Sequence, residues 1–369
     1  MKTFFFNRKI KLTCMFKSTK SILYLIMFSG TIITSCSHNK SAGVEKSCIF
    51  SKAIDSSYIL TEKDKITGAF GDCKLIDFQN EVYIVASLDG ELSINKVSDS
   101  SASFKGTQPI VSSNWLDIIE DHGSLLCVTA SFKDKSLRLY KIDMQSLNVQ
   151  LIATVLQYDE QLLIDPTFLK VEDKYFITYT QIKGNINNAD ISKQNGHYEV
   201  VLVASNDLIH WKKISSIVSE DTNIEDGFLY VEAAENSLCF LYEEETFDKN
   251  TSALKIKKST DSGVSWQAPT TLLNATADQE PAAIFKCNEK RYLFYSSDLD
   301  NPGASYYGAK GYISSFSNIN YTPDQTNIGL ELDEGIILYD VMLNNNKMYL
   351  LAQKLKKDKT NVLVYYTFE

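Results

Sequence analysis

Residues 164–179 begin with Ile164-Asp165-Pro166-Thr167-Phe168-Leu169, continue through a polar turn and end with Tyr175-Phe176-Ile177-Thr178-Tyr179. Both apolar runs are short and rich in β-branched and aromatic residues, which is the pattern of a β-hairpin. An acidic residue stands near the start of the first run. The stretch therefore defines a unit made of an acid, a strand, a polar turn and a second strand centred on a large apolar residue.

The same unit recurs along the chain between residue 57 and the C-terminus. The acids that open the units are spaced 45, 48, 61, 54 and 60 residues apart, and they are Asp72, Asp117, Asp165, Asp226, Glu280 and Asp340. Repeats of this length with four short strands each are the signature of a β-propeller. A β-sandwich would not place the acid at the same register six times. The sequence predicts an all-β propeller over residues 57–369 with six blades, while five or seven remain open if one unit is divided differently.

Two further patterns support the propeller. Ser259-Thr260-Asp261-Ser262-Gly263-Val264-Ser265-Trp266 matches the Asp-box pattern S-x-D-x-G-x-[ST]-W, and residues 205–211 form a looser version one unit earlier. This pattern is a tight turn between outer strands, in which the Asp accepts backbone N–H bonds and the Gly supplies a positive φ. Asp261, Trp211 and Trp266 are therefore expected to be scaffold residues. The segment near residues 57–60 is expected to add the outer strand of the last unit.

The charge balance excludes one class of partner. The chain has 369 residues, 44% of them hydrophobic, with 37 basic and 46 acidic side chains and a formal net charge of −9. Six of the basic residues lie in the first 20 positions, so the remainder is more acidic still. A chain this acidic, without a basic stripe, cannot neutralise nucleic-acid phosphates. Nucleic acid is excluded as a partner.

The N-terminal segment has the pattern of an export signal. An apolar run of 14 residues, 21–34, follows a basic stretch and is too short to span a bilayer, but it suits the core of a signal peptide. It ends in Ile33-Thr34-Ser35-Cys36, which resembles a bacterial lipobox whose Cys is lipidated. We predict a signal peptide over residues 1–35, with Met15 as an alternative start, and a polar tether over 36–56. By resemblance to other lipoproteins, Ser37 after the Cys indicates the outer membrane, facing the periplasm or the exterior.

The cysteines and histidines of the sequence do not indicate a metal site. After Cys36 five cysteines remain, an odd number, and four of them lie in apolar strand-like runs, which favours buried thiols over disulfides. The four histidines show no paired-ligand spacing. The sequence therefore predicts neither a metal nor a cofactor.

Residues 57–369 resemble the sialidase-like and related glycoside hydrolase propellers. The resemblance rests on the Asp-box, on the Asp165-Pro166 and Glu280-Pro281 pairs and on the repeating acids. The resemblance implies an active site at one mouth of the central channel, built from residues that open the inner strand of each blade. Sialidases themselves hold the sugar carboxylate with three arginines. Only Arg138 and Arg291 follow the signal segment, and both are expected on a solvated face or rim, so sialidase activity is excluded.

The related propellers that act on neutral sugars use three acids instead, as a base, a residue that tunes pKa and a proton donor. This resemblance implies Asp72 as base, Asp165 as tuning residue and Glu280 as acid, with Asp226 an equally good acid. Those enzymes usually have five blades and use successive blades, which this chain does not match. The alternative is structural: the acids satisfy backbone N–H groups at strand starts, or hold a water or cation in the channel.

Sugar sites usually add aromatic platforms. Trp115 is the one Trp outside the outer turns, and Tyr306 and Tyr307 lie in the Gly/Pro-rich insertion 298–308. Together with Asp117 and Asp340, they are the candidate substrate-binding residues. We expect a monomeric, lipid-anchored glycoside hydrolase acting on a neutral or weakly charged glycan. The other hypothesis is a non-catalytic lipoprotein that binds a glycan or an envelope protein.

Overall fold

The computed structural model of the chain describes residues 60–67, 70–97, 105–106, 110–159, 161–184, 196–232, 237–246, 250–287, 290–316, 328–330, 332–344, 347–355 and 361–368. The predicted signal segment, the lipidation at Cys36 and the tether lie outside these residues. Within them, no helix combines the length and the apolar character needed to cross a bilayer.

The described chain is built almost entirely of β-strands. Their bounds in chain order are β1 Leu60–Thr67, β2 Phe70–Phe78, β3 Glu81–Leu88, β4 Glu91–Lys96, β5 Lys105–Gly106, β6 Trp115–Asp121, β7 Ser124–Ser131, β8 Ser136–Asp143, β9 Asn148–Gln157, β10 Leu162–Val171, β11 Lys174–Gly184, β12 Gly196–Ser205, β13 Lys212–Glu220, β14 Asn223–Glu232, β15 Ser237–Thr246, β16 Thr251–Ser259, β17 Thr270–Ala277, β18 Gln279–Cys287, β19 Lys290–Ser297, β20 Lys310–Phe316, β21 Ile328–Gly329, β22 Ile336–Asn344, β23 Lys347–Leu355 and β24 Asn361–Phe368. One short 3-10 helix covers Ser305–Tyr307.

These strands form six four-stranded antiparallel sheets, which we number by their first strand: sheet 1 (β2–β5), sheet 2 (β6–β9), sheet 3 (β10–β13), sheet 4 (β14–β17), sheet 5 (β18–β21) and sheet 6 (β22–β24 with β1). In each sheet the first strand (β2, β6, β10, β14, β18 and β22) contacts the first strand of the sheet before and after it. These inner strands therefore form a closed ring. The chain is an all-β propeller, as the repeats predicted.

The ring is closed by a strand from the N-terminal side. β1 pairs antiparallel with β24, from Leu60 opposite Phe368 to Thr67 opposite Val362, and is the outer strand of sheet 6. The sequence predicted this strand near residues 57–60; the described strand begins at Leu60, and residues 57–59 lie outside the described part of the chain. β1 thereby covers the outer edge of β24 and becomes the edge strand of sheet 6 itself.

In sheets 2, 3 and 4 burial falls from the middle strands to the outer strand. In β7 every residue after Ser124 is buried, whereas in β9, at the outside of the same sheet, only Val149 and Ala153 are buried. Middle strands have a neighbouring sheet on both faces, so they need continuous apolar runs and not alternation. This explains why the second strand of each repeat is the most apolar part of the unit.

The core lies between neighbouring sheets. One cluster joins Leu126, Val128 and Leu139 of sheet 2 to Ile177 and Val201 of sheet 3. Each fully buried side chain of this size contributes about 1.5–3 kcal/mol relative to an exposed one. The sheets are thus held to one another mainly by apolar contacts, because the backbone bonds are made within each sheet.

The turn at residues 259–266 has the bonds that its sequence predicts. Asp261 Oδ1 accepts the backbone N–H of Ser265 at 2.9 Å, Gly263 has a φ of 87°, and Trp266 Nε1 donates to the carbonyl of Gly263 at 3.2 Å. Trp266 packs against the core between sheets 3 and 4, and Trp211 packs against the core between sheets 2 and 3. These residues belong to the scaffold.

One of the two arginines does not have the solvated position that the sequence predicted. Arg138 is partly exposed and bonds Asp134 at 2.8 Å, as a rim residue would. Arg291 is not solvated: it is 3% exposed and donates to Glu232 at 2.8 Å through Nε, between sheets 4 and 5. A buried guanidinium needs such a partner, because an unpaired charge is costly to bury. The three described cysteines whose side chains are placed, Cys73, Cys127 and Cys239, are buried and form no disulfide.

Candidate functional site

A cavity of about 420 Å³ lies where the inner strands begin. All six inner strands contribute to its wall, so it sits at one mouth of the central channel. Its described lining consists of Phe70, Gly71, Asp72, Asn114, Trp115, Phe132, Ile164, Asp165, Glu225, Asp226, Glu280, Tyr306, Ile337, Tyr339, Gln353 and Leu355. Five of these residues carry carboxyl groups, and none of the described lining residues is a Lys, Arg or His.

The four acids favoured as catalytic candidates all reach this cavity: Asp72 from sheet 1, Asp165 from sheet 3, Asp226 from sheet 4 and Glu280 from sheet 5. The carboxyl groups come from residues up to 208 positions apart in the chain. The structure thus brings the four candidates together in one cavity.

A bulge at the start of the inner strands helps to aim these side chains. The pairing of β10 with β11 shifts register between Ile164 and Thr167, and that of β14 with β15 shifts between Glu225 and Phe228. Asp165 and Asp226, inside these bulges, both have a φ of 48°. A non-glycine residue in the left-handed region is strained, and such strain and bulges concentrate at sites that re-aim a side chain.

Backbone N–H groups of the neighbouring sheet hold two of the four carboxyls. Asp72 accepts the N–H of Cys73 at 3.0 Å and, across the gap to sheet 2, the N–H of Leu116 at 3.3 Å. Asp165 Oδ2 accepts the N–H of Asp226 at 3.0 Å, which joins sheet 3 to sheet 4. These acids therefore act as ties between sheets as well as lining the cavity.

Crowding keeps part of this acid group protonated. Burial, together with the nearby Asp226 and Asp72, raises the pKa of Asp165 to about 8. Burial, with Asp165 and Asp226 next to it, also raises the pKa of Glu225 well above its usual value, and Glu225 Oε1 is buried without a hydrogen-bond partner. A carboxyl with a pKa of about 8, as at Asp165, carries its proton at pH 7 in most molecules. The cavity thus holds a proton donor beside ionisable carboxylates.

Glu243 extends the group behind the cavity wall. It is 5% exposed, and burial together with Asp278 and Glu280 raises its pKa well above the usual range. One carboxylate oxygen each from Asp226, Glu243 and Glu280 lies within 4.8 Å of the other two. Oxygens so placed are what Ca²⁺ takes as ligands, but the same crowding is relieved equally by sharing protons. The expectation of no metal therefore stays a prediction.

Asp117 and Asp340 are placed differently from what the repeat predicted. They are 1% and 0% exposed and do not line the cavity. Asp117 accepts the N–H of Phe168 at 2.7 Å, and Asp340 that of Leu75 at 2.9 Å, each on the next inner strand. Each carboxylate therefore links its own inner strand to the next one, and neither is within reach of a ligand in this cavity.

A buried lysine accompanies the deeper acids. Lys74 is 0% exposed, and its Nζ lies 3.8 Å from Asp117 Oδ1. Burial raises the pKa of Asp340 to about 7, while Lys74 and the N–H of Leu75 act in the opposite direction. The channel below the cavity therefore contains a mixed-charge group. Nothing in the sequence distinguishes Lys74, because one Lys in an apolar strand gives no sign of which way its side chain points.

Sheets 2 and 6 each add an aromatic residue to the cavity wall, and sheet 6 also adds Ile337, Gln353 and Leu355. Trp115 lines it two positions before Asp117, and Tyr339 lines it one position before Asp340. Tyr339 donates a hydrogen bond from its hydroxyl to Gln353 Oε1, and burial raises its pKa well above the usual value. In the sequence, Tyr339 directly precedes the repeated acid Asp340. The prediction chose Asp340 as the residue that lines the site, which is one position too late.

The insertion 298–308 contributes one tyrosine of its pair. Tyr306 lines the cavity, and the nearby Glu280 raises its phenol pKa well above the usual value. Tyr307 is 57% exposed and does not line the cavity. The loop is fixed by Asp298, whose Oδ2 accepts the N–H groups of Gly303 at 2.7 Å and Ser305 at 2.9 Å.

Comparison with known proteins adds information on the fold alone. No protein-family model matches the chain, and no curated protein matches it either. Among solved structures, an α-L-arabinanase from Penicillium chrysogenum complexed with arabinobiose has a TM-score of 0.59 at 10% identity, covering 84% of this chain and 98% of its own.

Two further structures are similar to the same extent. An α-L-arabinofuranosidase from Fusarium graminearum, in complex with an iminosugar inhibitor, has a TM-score of 0.59 at 10% identity, over 83% of this chain and 97% of its own. A protein of unknown function from Dyadobacter fermentans has a TM-score of 0.58 at 10% identity, over 84% of this chain and 99% of its own. The chain therefore has the propeller fold found in glycoside hydrolases.

Proposed function

We propose that this protein hydrolyses the glycosidic bonds of a neutral glycan. The observation that carries the proposal is the cavity at the channel mouth, where a carboxyl kept protonated at neutral pH, Asp165, stands among other carboxylates. Glycosidic cleavage needs one carboxyl that donates a proton and one carboxylate on the other side of the bond.

In the proposed reaction Asp165 protonates the glycosidic oxygen, and the leaving sugar departs as an alcohol. The ionised partner comes from Asp226 and Glu280, whose carboxylate oxygens lie within 4.8 Å of each other. That carboxylate attacks the anomeric carbon and forms a glycosyl ester. Water then replaces the ester and gives its proton to the Asp165 carboxylate, which restores the starting state. The distance between the Asp165 carboxyl and that carboxylate decides between this retaining route and an inverting one, which needs about 6.5–9.5 Å for an intervening water.

The charge of the cavity indicates the class of substrate. Its described lining has five carboxyl groups and no basic side chain, so an acidic sugar would meet repulsion without compensation. Trp115 and Tyr306 offer rings against which a sugar face can pack. Two of the structures with a similar fold act by name on arabinosides, which makes arabino-oligosaccharides the first substrates to test.

The location of the protein is part of the proposal. Lipidation at Cys36, after removal of residues 1–35, would tether the propeller through residues 36–56 to the outer membrane of a bacterium. The support is the basic stretch, the 14-residue apolar run and the Ile33-Thr34-Ser35-Cys36 pattern of the sequence. Labelling with radioactive palmitate, lost in Cys36→Ala, would test it.

The decisive test is a hydrolysis screen of the purified protein against arabinan, xylan and other neutral oligosaccharides. Asp226→Asn and Glu280→Gln remove a charge at nearly constant shape and should lower kcat/KM by at least about 100-fold. Asp221→Asn is the matched control, because the Asp221 side chain is 90% exposed and does not line the cavity. Turnover unchanged in both cavity variants, with melting temperatures preserved, would refute the proposal.

One observation favours the second candidate, a propeller that binds a glycan without cleaving it. Asp72 and Asp165 already accept backbone N–H bonds, as purely structural acids would. This candidate predicts binding of neutral oligosaccharides, measured by calorimetry, with no release of reducing sugar from any of them. The same screen therefore separates the two functions.

A further inference from the structure

A second cavity, of about 390 Å³, adjoins the first on the side of sheets 1 and 2. The two cavities share Asn114 and Phe132 in their walls. The remaining wall of the second cavity comes from the turn after β3, from the segment before β6 and from the turn after β7. The two cavities are therefore neighbours, and Phe132 belongs to both.

The shared wall is rigidly built. Asn114 Oδ1 accepts the N–H of Phe132 at 2.9 Å, while the Asn114 backbone donates to Ala130 at 2.9 Å and accepts from Asp72 at 3.3 Å. The Phe132 ring meets Trp115 edge to face, with ring centroids 4.6 Å apart. The position of the ring is therefore fixed by the backbone and by the aromatic residue of the first cavity.

The Phe132 ring is nevertheless open to solvent. Phe132 is 38% exposed and Ile110, across the second cavity, is 65% exposed. Large apolar side chains left exposed at a concave surface commonly mark a binding site. A fixed and exposed ring beside a cavity suits the flat face of a sugar, as aromatic platforms do in other sugar sites.

The polar groups of the second cavity are mainly acceptors. Asp89, Glu91 and Asp134 line it with a single Lys133. Asp134 is held by Arg138 at 2.8 Å. Carboxylates accept hydrogen bonds from sugar hydroxyls, and their excess disfavours a uronic acid at this position.

We propose that the second cavity binds the next sugar unit of the same neutral chain, with Phe132 as its platform. This inference rests on the proposed function, since it extends that site. The substrate is then an oligosaccharide or polysaccharide of at least two units, and a single glycoside fills the first cavity alone. Phe132 is a specificity-determining residue for chain length.

The test is the affinity of the purified protein for arabinan, xylan and glucan fragments of one to four units, measured by calorimetry. The second unit should raise the affinity about tenfold for the accepted series, and Phe132→Ala should remove that increase, so that one-unit and two-unit fragments bind the variant equally well. The comparison is made within each variant, because Phe132 also lines the first cavity. Phe132→Leu keeps apolar bulk against Trp115 and should lose the same increase if the flat ring is what matters. Ile209→Ala is the control, because Ile209 is also exposed, at 58%, and lines neither cavity.

The outcomes separate this inference from the proposed function. Length-dependent binding that is lost in both Phe132 variants supports the second sugar position even if no bond is cleaved. Equal affinity for one and two units, a gain unaffected by either Phe132 variant, or no binding in any series overturns it, even where single glycosides are hydrolysed. Fragments of polygalacturonate should gain nothing from a second unit, and a gain equal to that of the neutral series would contradict the charge argument.

Discussion

The acids at the mouth of the channel and the acids below it come from the same repeat and behave differently. Asp72, Asp165, Asp226 and Glu280 reach the cavity, whereas Asp117 and Asp340 are buried under it and tie one inner strand to the next. A shift of one or two residues along the inner strand separates the two groups. An acid that recurs in every sheet therefore indicates a shared structural role first. Only the acids that line the cavity can take part in a reaction with a ligand.

The largest expected difference between the two groups is in activity. Asp165→Asn should reduce kcat/KM by about 10²–10⁴-fold, because it removes the proposed proton donor. The wild-type rate should fall at high pH with an apparent pKa near 8, and the residual activity of the variant should lack that limb. Steady-state rates from pH 5 to 10 measure both effects.

Asp340→Asn is the matched comparison from below the cavity, since it keeps the shape of a buried acid. Its kcat/KM per folded molecule should stay close to that of the wild type. An equal loss in both variants would mean that position relative to the cavity does not separate the two groups.

The next largest difference is in stability. Asp117→Ala leaves the N–H of Phe168 and the ammonium of Lys74 buried without this carboxylate. Loss of one partner of a buried charge pair typically lowers the free energy of unfolding by about 3–5 kcal/mol. Urea unfolding followed by tryptophan fluorescence measures it, and a change no larger than that of Asp221→Asn would show that Asp117 is not a tie.

The pH dependence of stability should separate the groups with a defined sign. The folded protein holds the Asp165 proton up to a pKa of about 8, whereas an unfolded Asp releases it near pH 4. The folded state therefore binds more protons between these values, and its free energy of unfolding falls as the pH rises through that window. Asp165→Asn should flatten this fall and raise the melting temperature at pH 8 more than at pH 5. A parallel shift at both pH values would contradict the raised pKa.

The smallest expected effect concerns the two neighbouring tyrosines of the insertion. Tyr306 lines the cavity and Tyr307 does not. Tyr306→Ala should raise KM about tenfold through loss of ring packing on the sugar, while Tyr307→Ala should leave KM unchanged. Equal effects of the two changes would show that the loop acts through its backbone instead.

The fold was largely predictable because its signals are local. Alternation of short apolar runs and polar turns identifies strands, and the spacing of Asp72 to Asp340 reveals the repeat. The Asp-box at Ser259–Trp266 adds a turn whose geometry is set by its own residues. A closing strand was anticipated near residues 57–60, since a propeller needs one to complete its ring, and the described β1 begins at Leu60.

The site was predictable only in part, because cavity lining depends on register. Asp165 and Asp226 reach the mouth with a φ of 48° inside a bulge, and nothing in the sequence states where a bulge falls. The same uncertainty of one residue placed Asp340 in the site instead of Tyr339. Phe132 and Glu243 lie on other strands and turns, so only the assembled ring brings them to the inner-strand acids.

The pairing of Leu60 with Phe368 has a consequence for how the chain folds. Two strands at opposite ends of the described chain must meet, and contacts of such sequence separation form slowly because a long loop must first be closed. Until β24 has been synthesised, β23 presents an unpaired edge to any other chain. We expect nascent or truncated molecules that end before residue 361 to depend on chaperones and to aggregate without them. The last eight described residues thus complete the ring, and we expect the chain to be prone to aggregation until they have paired.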